Sequence, residues 1–514
     1  MTISENKNID IMFIVSPTNA HDVYMPFYFL YLAGYLEKHG YFAEIVNPHE
    51  KHIEDNFKAI INEVITRKPK LIGLASFVTD YNVVVGLATE IKKYSDAKII
   101  VGNAHPSIAP EDFLYESSPF DIVVRGEGEL TLKQLLEEFS KTGGFNDANG
   151  LSHINGIAYF ENGAVKITKN RELMDLADCG TPAYHKIDMK WYLKITKHII
   201  RRLATVGAVI YTGRGCPFHC TFCAANSVWS ANDKAPGNPV VRKRPLAHVI
   251  DELRILQDVY KFDFFYILDD TFGTREKDII DFCKAYSESG LKMLWAAETR
   301  VNCIKDMQIV KLLKESGSIQ LDFGVETGSP RLLKAIKKQI VLEDTIQAFD
   351  LCRKNGIRTF ANMLVNLPGE EAEDLNLTHK LLAEIKPTYT SVGVTQPYPG
   401  TEMYINLGKP ISNKDYHKLS RLIPPEEFRM SKHKISLREL LFTWQLKYKI
   451  EPFFERSLFK TDKTYWLRII NSKNRWSYIL FLIKEIVKMP LIHVKIRMRY
   501  LKGRKLDKQL ERVS

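Results

Sequence analysis

The stretch "GRGCPFHCTFC" (213–223) places Cys216, Cys220 and Cys223 within eight residues, spaced C-x3-C-x2-C. The other four cysteines of the 514-residue chain, Cys179, Cys283, Cys303 and Cys352, share no ligand spacing. A structural zinc asks for four ligands, commonly two separated C-x2-C pairs. Only one such pair exists here, and His219, a neighbour inside the same loop, makes an awkward fourth ligand. Three thiolates on one short loop suit a cubane 4Fe-4S cluster better, because each can hold a different iron. The remaining iron is then open to chelation by a substrate or cofactor, so the missing fourth cysteine is the informative feature.

Such a loop must be held by a frame. "GAVIYT" (207–212) reads as a strand delivering it, and strand patterns recur at "FDFFYILDD", "KMLWAAETR", "IQLDFGVE", "IRTFANMLVNLPGE" and "TSVGVTQPYPG", each followed or preceded by a helical pattern. Six βα units predict a partial TIM-like barrel, whose functional groups sit on the loops after the strands. Polar residues fall there: Asp269 and Asp270, Glu298 and Arg300, Glu326, and Glu370. Taken singly, each has a plainer reading. Asp269, Asp270 or Thr271 could cap the next helix, Glu326 could be a turn carboxylate, and Arg300 a solvated surface residue. Cys283 and Cys352 fall inside helical patterns and read as core thiols.

Upstream, five short apolar strands alternate with helices at about 54–67, 82–94 and 130–141. This predicts an N-terminal doubly wound, Rossmann-like parallel sheet over residues 1–144, with ligands at the carboxyl ends of its strands. The loops there are Ser76–Asp80, Gly102–Pro106 and Arg125–Glu129. Residues 145–205 read as a connector with a hairpin turning at Asn162-Gly163, residues 206–404 as the barrel, and 405–514 as a mainly helical region. Net charge is +11, but from Thr401 onward there are 26 Lys+Arg against 11 Asp+Glu. The preceding 400 residues therefore carry a slight negative excess, which argues against nucleic-acid binding by the main domains. The segment 476–506 is apolar yet interrupted by Lys484, Glu485 and Lys488. It is expected to pack on the barrel or to lie in a membrane interface, not to span a bilayer. The polar opening residues and odd cysteine count predict a cytoplasmic protein, with peripheral contact at the inner membrane face as an extension of that reading.

The C-x3-C-x2-C loop, with Phe222 before its last cysteine, resembles the signature of radical S-adenosylmethionine enzymes. "YILDDTFG", "WAAETR", "FGVETGSPRLLKAIKK", "NLPGEE" and "PYPGTEMY" resemble the barrel motifs of the subgroup with an N-terminal cobalamin-binding domain. "LAGYLEKHGY", "VGNAHPS" and "DIVVRGEGELTLKQL" are similar to that domain, so the resemblance spans about residues 10–405. It implies that Cys216, Cys220 and Cys223 hold a 4Fe-4S cluster whose open iron binds S-adenosylmethionine. It implies that Phe222 lies near the adenine, and that Asp269, Asp270, Arg300, Glu326 and Lys338 hold the cofactor's amino acid and ribose. Cobalamin would be contacted by Ser76, Gly102, Asn103, His105, Gly126, Glu127 and Gly128. Two departures stand out. The usual Val-Gly-Gly loop is Val101-Gly102-Asn103, although Asn tolerates left-handed backbone. The D-x-H-x-x-G motif of other cobalamin proteins is absent, as is usual in this subgroup.

The activity the resemblance implies is methylation of an unactivated carbon of a hydrophobic or natural-product substrate. Reductive cleavage of one S-adenosylmethionine would yield a 5′-deoxyadenosyl radical, and a second would re-methylate cobalt. The alternative is a radical cyclase or oxidative rearrangement enzyme acting on a tetrapyrrole or lipid. A rival of another class is a non-catalytic iron–sulfur or corrinoid sensor. The expected partners are a small-molecule or lipid substrate and an external electron donor such as flavodoxin or ferredoxin. The basic, apolar tail suggests substrate delivery at a membrane surface.

Overall fold

The computed structural model describes residues 9–17, 25–51, 56–145, 148–196, 200, 203–229, 232–233, 241–408, 410–419, 423, 425–437, 440, 463–484 and 487. The chain divides into two compact units, one of Met1–Trp191, Cys223–Pro245 and Pro397–Arg421, the other of Tyr192–Phe222, Leu246–Gln396 and Leu422–Ser514.

In the first unit, strands β1 (Ile11–Ile14), β2 (Ala43–Val46), β3 (Leu71–Ala75), β4 (Lys98–Gly102) and β5 (Ile122–Val124) lie in the order β2-β1-β3-β4-β5. All are parallel. Their near-continuous Ile, Leu and Val content follows from burial on both faces, since helices cover a parallel sheet from each side. The helices are α1 (Phe27–Lys38), α2 (Asn56–Arg67), α3 (Tyr81–Ile91), the short α4 (Ala104–Ile108) and α5 (Glu129–Thr142). The expected hairpin forms as β6 (Ile157–Glu161) and β7 (Ala164–Ile167), turning at Asn162 (φ +50°) and Gly163 (φ +78°). It does more than connect: β6 pairs antiparallel with β5 and carries the sheet to seven strands. A β1/β3 neighbour pair whose chain leaves in opposite directions is the switch point of a doubly wound sheet, where such folds open a crevice.

The second unit holds six parallel strands in sequential order: β8 (Gly207–Ile210), β9 (Phe264–Ile267), β10 (Leu294–Thr299), β11 (Ser318–Glu326), β12 (Arg358–Val365) and β13 (Tyr389–Val394). Sequential order with intervening α6 (Leu246–Arg254), α7 (Glu276–Glu288), α8 (Met307–Glu315), α9 (Leu342–Lys354) and α10 (Ala372–Ile385) is the partial TIM-like barrel expected. Trp295 is fully buried between strands and helices, and its indole N–H donates to Ser316 O at 2.9 Å.

Of the C-terminal region, α11 (Lys463–Asn471) and a second helix over 475–484 are described. They lie beneath the amino ends of β8 and β9. Tyr465 Oη donates to Ala204 O at 3.0 Å, and Tyr478 Oη accepts from Val206 N at 2.7 Å. Ser472 Oγ and Asn474 Nδ2 both donate to Asp263 Oδ2, at 2.7 and 3.1 Å. Of the segment 476–506, expected to pack on the barrel or to lie in a membrane interface, Tyr478 packs against the barrel's amino ends, and most of what lies beyond 484 falls outside the described residues. Among the described residues, no helix is long and apolar enough to cross a membrane.

Candidate active site

The cysteine loop leaves the carboxyl end of β8, where the barrel pattern requires it. Its entry is pinned by the next strand's loop. Asp269, only 4% exposed, accepts from Thr212 N at 2.7 Å, Thr212 Oγ1 at 2.5 Å and Gly213 N at 3.1 Å. Asp270 Oδ2 accepts from Gly215 N at 2.9 Å, and Gly215 takes φ +93°, a conformation glycine adopts without Cβ strain. Neither aspartate caps the following helix, which starts at Glu276 after Arg275. Thr271 Oγ1 lies 3.5 Å from Cys216 Sγ. Cys216, Cys220 and Cys223 are all partly exposed, whereas Cys179, Cys283 and Cys352 are buried. Burial pushes the Cys283 and Cys352 thiols up to about 12, which suits core residues and not metal ligands.

Arg300 is not a surface residue. It is 5% exposed, its guanidinium lies 3.6 Å over the Phe218 ring, and Nη1 is 3.8 Å from Cys220 Sγ. Nη2 also donates to Lys338 O, which ties the arginine to the loop after β11.

Lys338 and Glu326 form a buried ion pair, Nζ to Oε1 2.6 Å, and Lys338 Nζ stands 5.9 Å from the Phe222 ring centroid. Glu326 ends β11 at φ +65°, after a register shift between Gly324 and Glu326. A bulge beside a site re-aims a side chain, and a non-glycine residue in left-handed backbone persists only where its surroundings over-determine it. A Cβ at Gly324 would lie 2.6 Å from both Glu326 Oε1 and Lys338 Nζ, so glycine is what admits the pair. In register with Gly324 stand Asn362 on β12 and Ser391 on β13, both partly exposed on the same face. Neither is signalled by the sequence beyond a lone Asn in an apolar strand. Glu370, expected among the strand-end groups, is instead buried. It accepts from Asn366 N at 2.7 Å and lies 3.2 Å from His433 Nε2, and burial raises its pKa.

The first unit has its own candidate site at the switch point. Ser16 follows β1 and is buried, and its Oγ has no hydrogen-bond partner among the described residues. Ser76 follows the adjacent β3; its hydroxyl donates to Asp80 Oδ1 at 3.2 Å, and Phe77 N reaches the same oxygen at 2.7 Å. Burial nevertheless pushes the Asp80 carboxyl up to about 6. After β4, Gly102 leads to Asn103 at φ +88°, ψ −165°, with its side chain accepting from Ala104 N at 2.7 Å. That is not the left-handed helical region in which Asn is tolerated but one that is almost glycine-only. The departure from Val-Gly-Gly thus keeps the glycine conformation under strain. Gly126 (φ +71°) donates to Ser107 Oγ at 2.9 Å. A Cβ at Gly128, ahead of α5, would lie 3.1 Å from Leu32 Cδ2.

Two expected cofactor contacts are engaged elsewhere. His105 is fully buried among Tyr81, Phe113 and Tyr416, with Nε2 2.8 Å from Asp112 Oδ2. Glu127 makes a two-pronged ion pair with Arg242, at 2.8 and 3.0 Å.

The donor sets fit the implied groups. Three partly exposed cysteines on one short loop, Cys220 beside the buried Arg300, suit a cluster with one open iron, although no three ligand-type side chains converge on one point among the described residues. At the switch point, a buried serine hydroxyl with no hydrogen-bond partner among the described residues and a strained loop after β4 suit a bound cofactor. Family comparison agrees: the radical SAM superfamily model matches residues 210–382 and the B12 binding domain model residues 18–136. The chain belongs to the radical SAM superfamily, in the branch that also carries a B12 binding domain. It is therefore an enzyme that uses a 4Fe-4S cluster, S-adenosylmethionine and cobalamin, and it acts on a small molecule with the help of a reductant. It is similar to an uncharacterized methyltransferase of Pyrococcus horikoshii, 31% identical over 65% of this chain and 69% of the relative. It is also similar to an anaerobic magnesium-protoporphyrin IX monomethyl ester cyclase of Rubrivivax gelatinosus, 26% identical over 78% and 69%. The same fold occurs in the radical S-adenosylmethionine methyltransferase TsrM of Kitasatospora setae, solved with cobalamin and a 4Fe-4S cluster. It superposes at TM-score 0.61 with 20% identity, covering 77% of this chain and 74% of that one.

Proposed function

We propose that the protein methylates an unactivated carbon of a hydrophobic or natural-product substrate. The observation that carries this reading is one chain holding both a three-thiol barrel loop and a B12-type switch-point site. Similarity to a methyltransferase at higher identity than to a cyclase supports it. When bound, the cluster with S-adenosylmethionine supplies one-electron reductive cleavage, and cobalamin supplies a methyl carrier.

The chain's own residues would bind and orient. Cys216, Cys220 and Cys223 hold iron. Arg300 balances the thiolate charge and, with Lys338, offers cations to the cofactor's carboxylate. Glu326, braced by Lys338, offers a carboxylate to its ammonium or ribose hydroxyls. Phe222 lies against the adenine. Asp269 and Asp270 act through the backbone of the cysteine loop and fix its path. In the first unit, Ser76, Gly102, Asn103, Gly126 and Gly128 wall the cobalamin site, while His105 and Glu127 brace that wall. The partition of roles follows: residues 1–144 for cobalamin, 145–205 as connector, 206–404 for the radical chemistry, and 405–514 as the basic helical region. The reductant would be a small electron-transfer protein such as a flavodoxin or ferredoxin. Peripheral contact at the inner membrane face is assigned to the C-terminal region, on its excess of cations.

The second reading, radical cyclisation without methyl transfer, rests on the cyclase relative. Quantifying S-adenosylhomocysteine and 5′-deoxyadenosine in one anaerobic turnover separates them. Methylation yields both; substrate consumption with 5′-deoxyadenosine alone removes it in favour of cyclisation.

A further inference from the structure

The second unit carries an apolar face that its described residues leave exposed. On the helix over 475–484 the exposed large apolar residues are Trp476 (67%), Ile479, Leu480 (67%) and Ile483, and Val487, itself helical, is exposed as well (71%). Positions 476, 480, 483 and 487 fall on one helical stripe. The opposite side of the same helix is anchored, since Tyr478 is fully buried against Val206. Leu467 and Ile470 of α11 are exposed as well. Apolar area of this kind on a folded unit marks an interaction surface.

Charge selects the partner. Residues 463–484 contain five cations, Lys463, Arg468, Lys473, Arg475 and Lys484, and no Asp or Glu. The sequence from 485 to 514 adds nine Lys+Arg against three Asp+Glu. An amphipathic helix with aromatic and aliphatic residues on one side and cations beside them is the pattern of a monotopic anchor on anionic lipid. We infer that this face, centred on Trp476, Leu480, Ile483 and Val487, seats the protein on an anionic membrane surface. The inference rests on the proposed peripheral contact and specifies which face makes it and how the barrel is turned. The helix lies beneath the amino ends of β8 and β9, whereas the cysteine loop leaves the carboxyl end of β8. The foot of the barrel therefore meets the lipid, and its opening faces away.

The test uses the full-length protein in flotation with vesicles of phosphatidylcholine, alone or with about a third phosphatidylglycerol. The wild type is expected to float with the anionic vesicles, less so at high salt. The double variant Trp476→Glu, Leu480→Glu should bind about tenfold or more weakly, with an unchanged circular dichroism spectrum and unfolding midpoint, because both side chains are exposed. Equal binding by the variant overturns the assignment of this face and leaves the broader membrane reading standing. No binding by the wild type overturns both. A wild-type dimer in sedimentation that the variant dissociates, without vesicle binding, assigns the face to a second copy and also overturns the inference.

Discussion

At the scale of single residues, the site depends on a few charges kept out of water. Glu326 and Lys338 are each almost fully buried and are paired at 2.6 Å. Removing one partner strands the other charge, which typically costs about 3–5 kcal/mol. Lys338→Met is therefore expected to destabilise the protein by that order in denaturant unfolding and to abolish S-adenosylmethionine cleavage. Asp80 gives a pH-dependent counterpart. Its folded pKa, about 6, lies above the model-peptide value of 3.8 because of burial. The folded state thus binds the proton more tightly than the unfolded state. The stability this group confers is complete below pH 3.8 and is lost as pH rises through about 6. Asp80→Asn keeps the acceptor for Phe77 N and lacks that loss. Relative to wild type it should gain up to about 3 kcal/mol between pH 4 and pH 7 in chemical denaturation. Parallel curves for the two proteins across that interval would show that Asp80 does not titrate this way.

At the scale of elements, the strand ends are set by close backbone approaches. A Cβ at Gly328, in the loop after β11, would fall 2.6 Å from Leu377 O and Thr378 Cα on α10. Backbone cannot swing aside as a side chain can, so Gly328→Ala should cost about 1–3 kcal/mol in unfolding free energy. It should also weaken S-adenosylmethionine binding, read by equilibrium dialysis, because Glu326 lies two residues upstream; stability and binding both unchanged would refute the packing account. The cysteine loop, the six barrel strands and the polar strand ends were legible because each is a local pattern, a run of apolar residues followed by punctuation. Ser16, Asn362 and Ser391 were not, because their significance arises from which strands become neighbours. The bracing of Glu127 by Arg242, 115 positions away, and the enclosure of His105 by rings from Tyr81 and Tyr416 were equally hidden. Asn103 was expected to sit in the left-handed backbone that Asn tolerates, and its strained, almost glycine-only geometry came only with the fold.

At the scale of the whole molecule, the C-terminal helices have two faces with different duties. The inner face closes the barrel's foot through Tyr465 and Tyr478. Tyr478→Phe would leave Val206 N–H buried without its acceptor, at about 1–3 kcal/mol. It should therefore lower the unfolding midpoint while leaving vesicle flotation intact, the reverse of the pattern expected for the outward-facing pair Trp476 and Leu480. A Tyr478→Phe protein that unfolds like wild type would show that the inner hydrogen bond carries no weight.

The placement of those helices bears on how a reactant reaches the thiol loop. A greasy molecule dissolved in the bilayer beneath the protein would start at the amino ends of β8 and β9, the end of the barrel opposite the thiol loop. It would have to desorb and enter from the aqueous side, or arrive on a carrier. The enzyme would then patrol the lipid surface without drawing its meal from it.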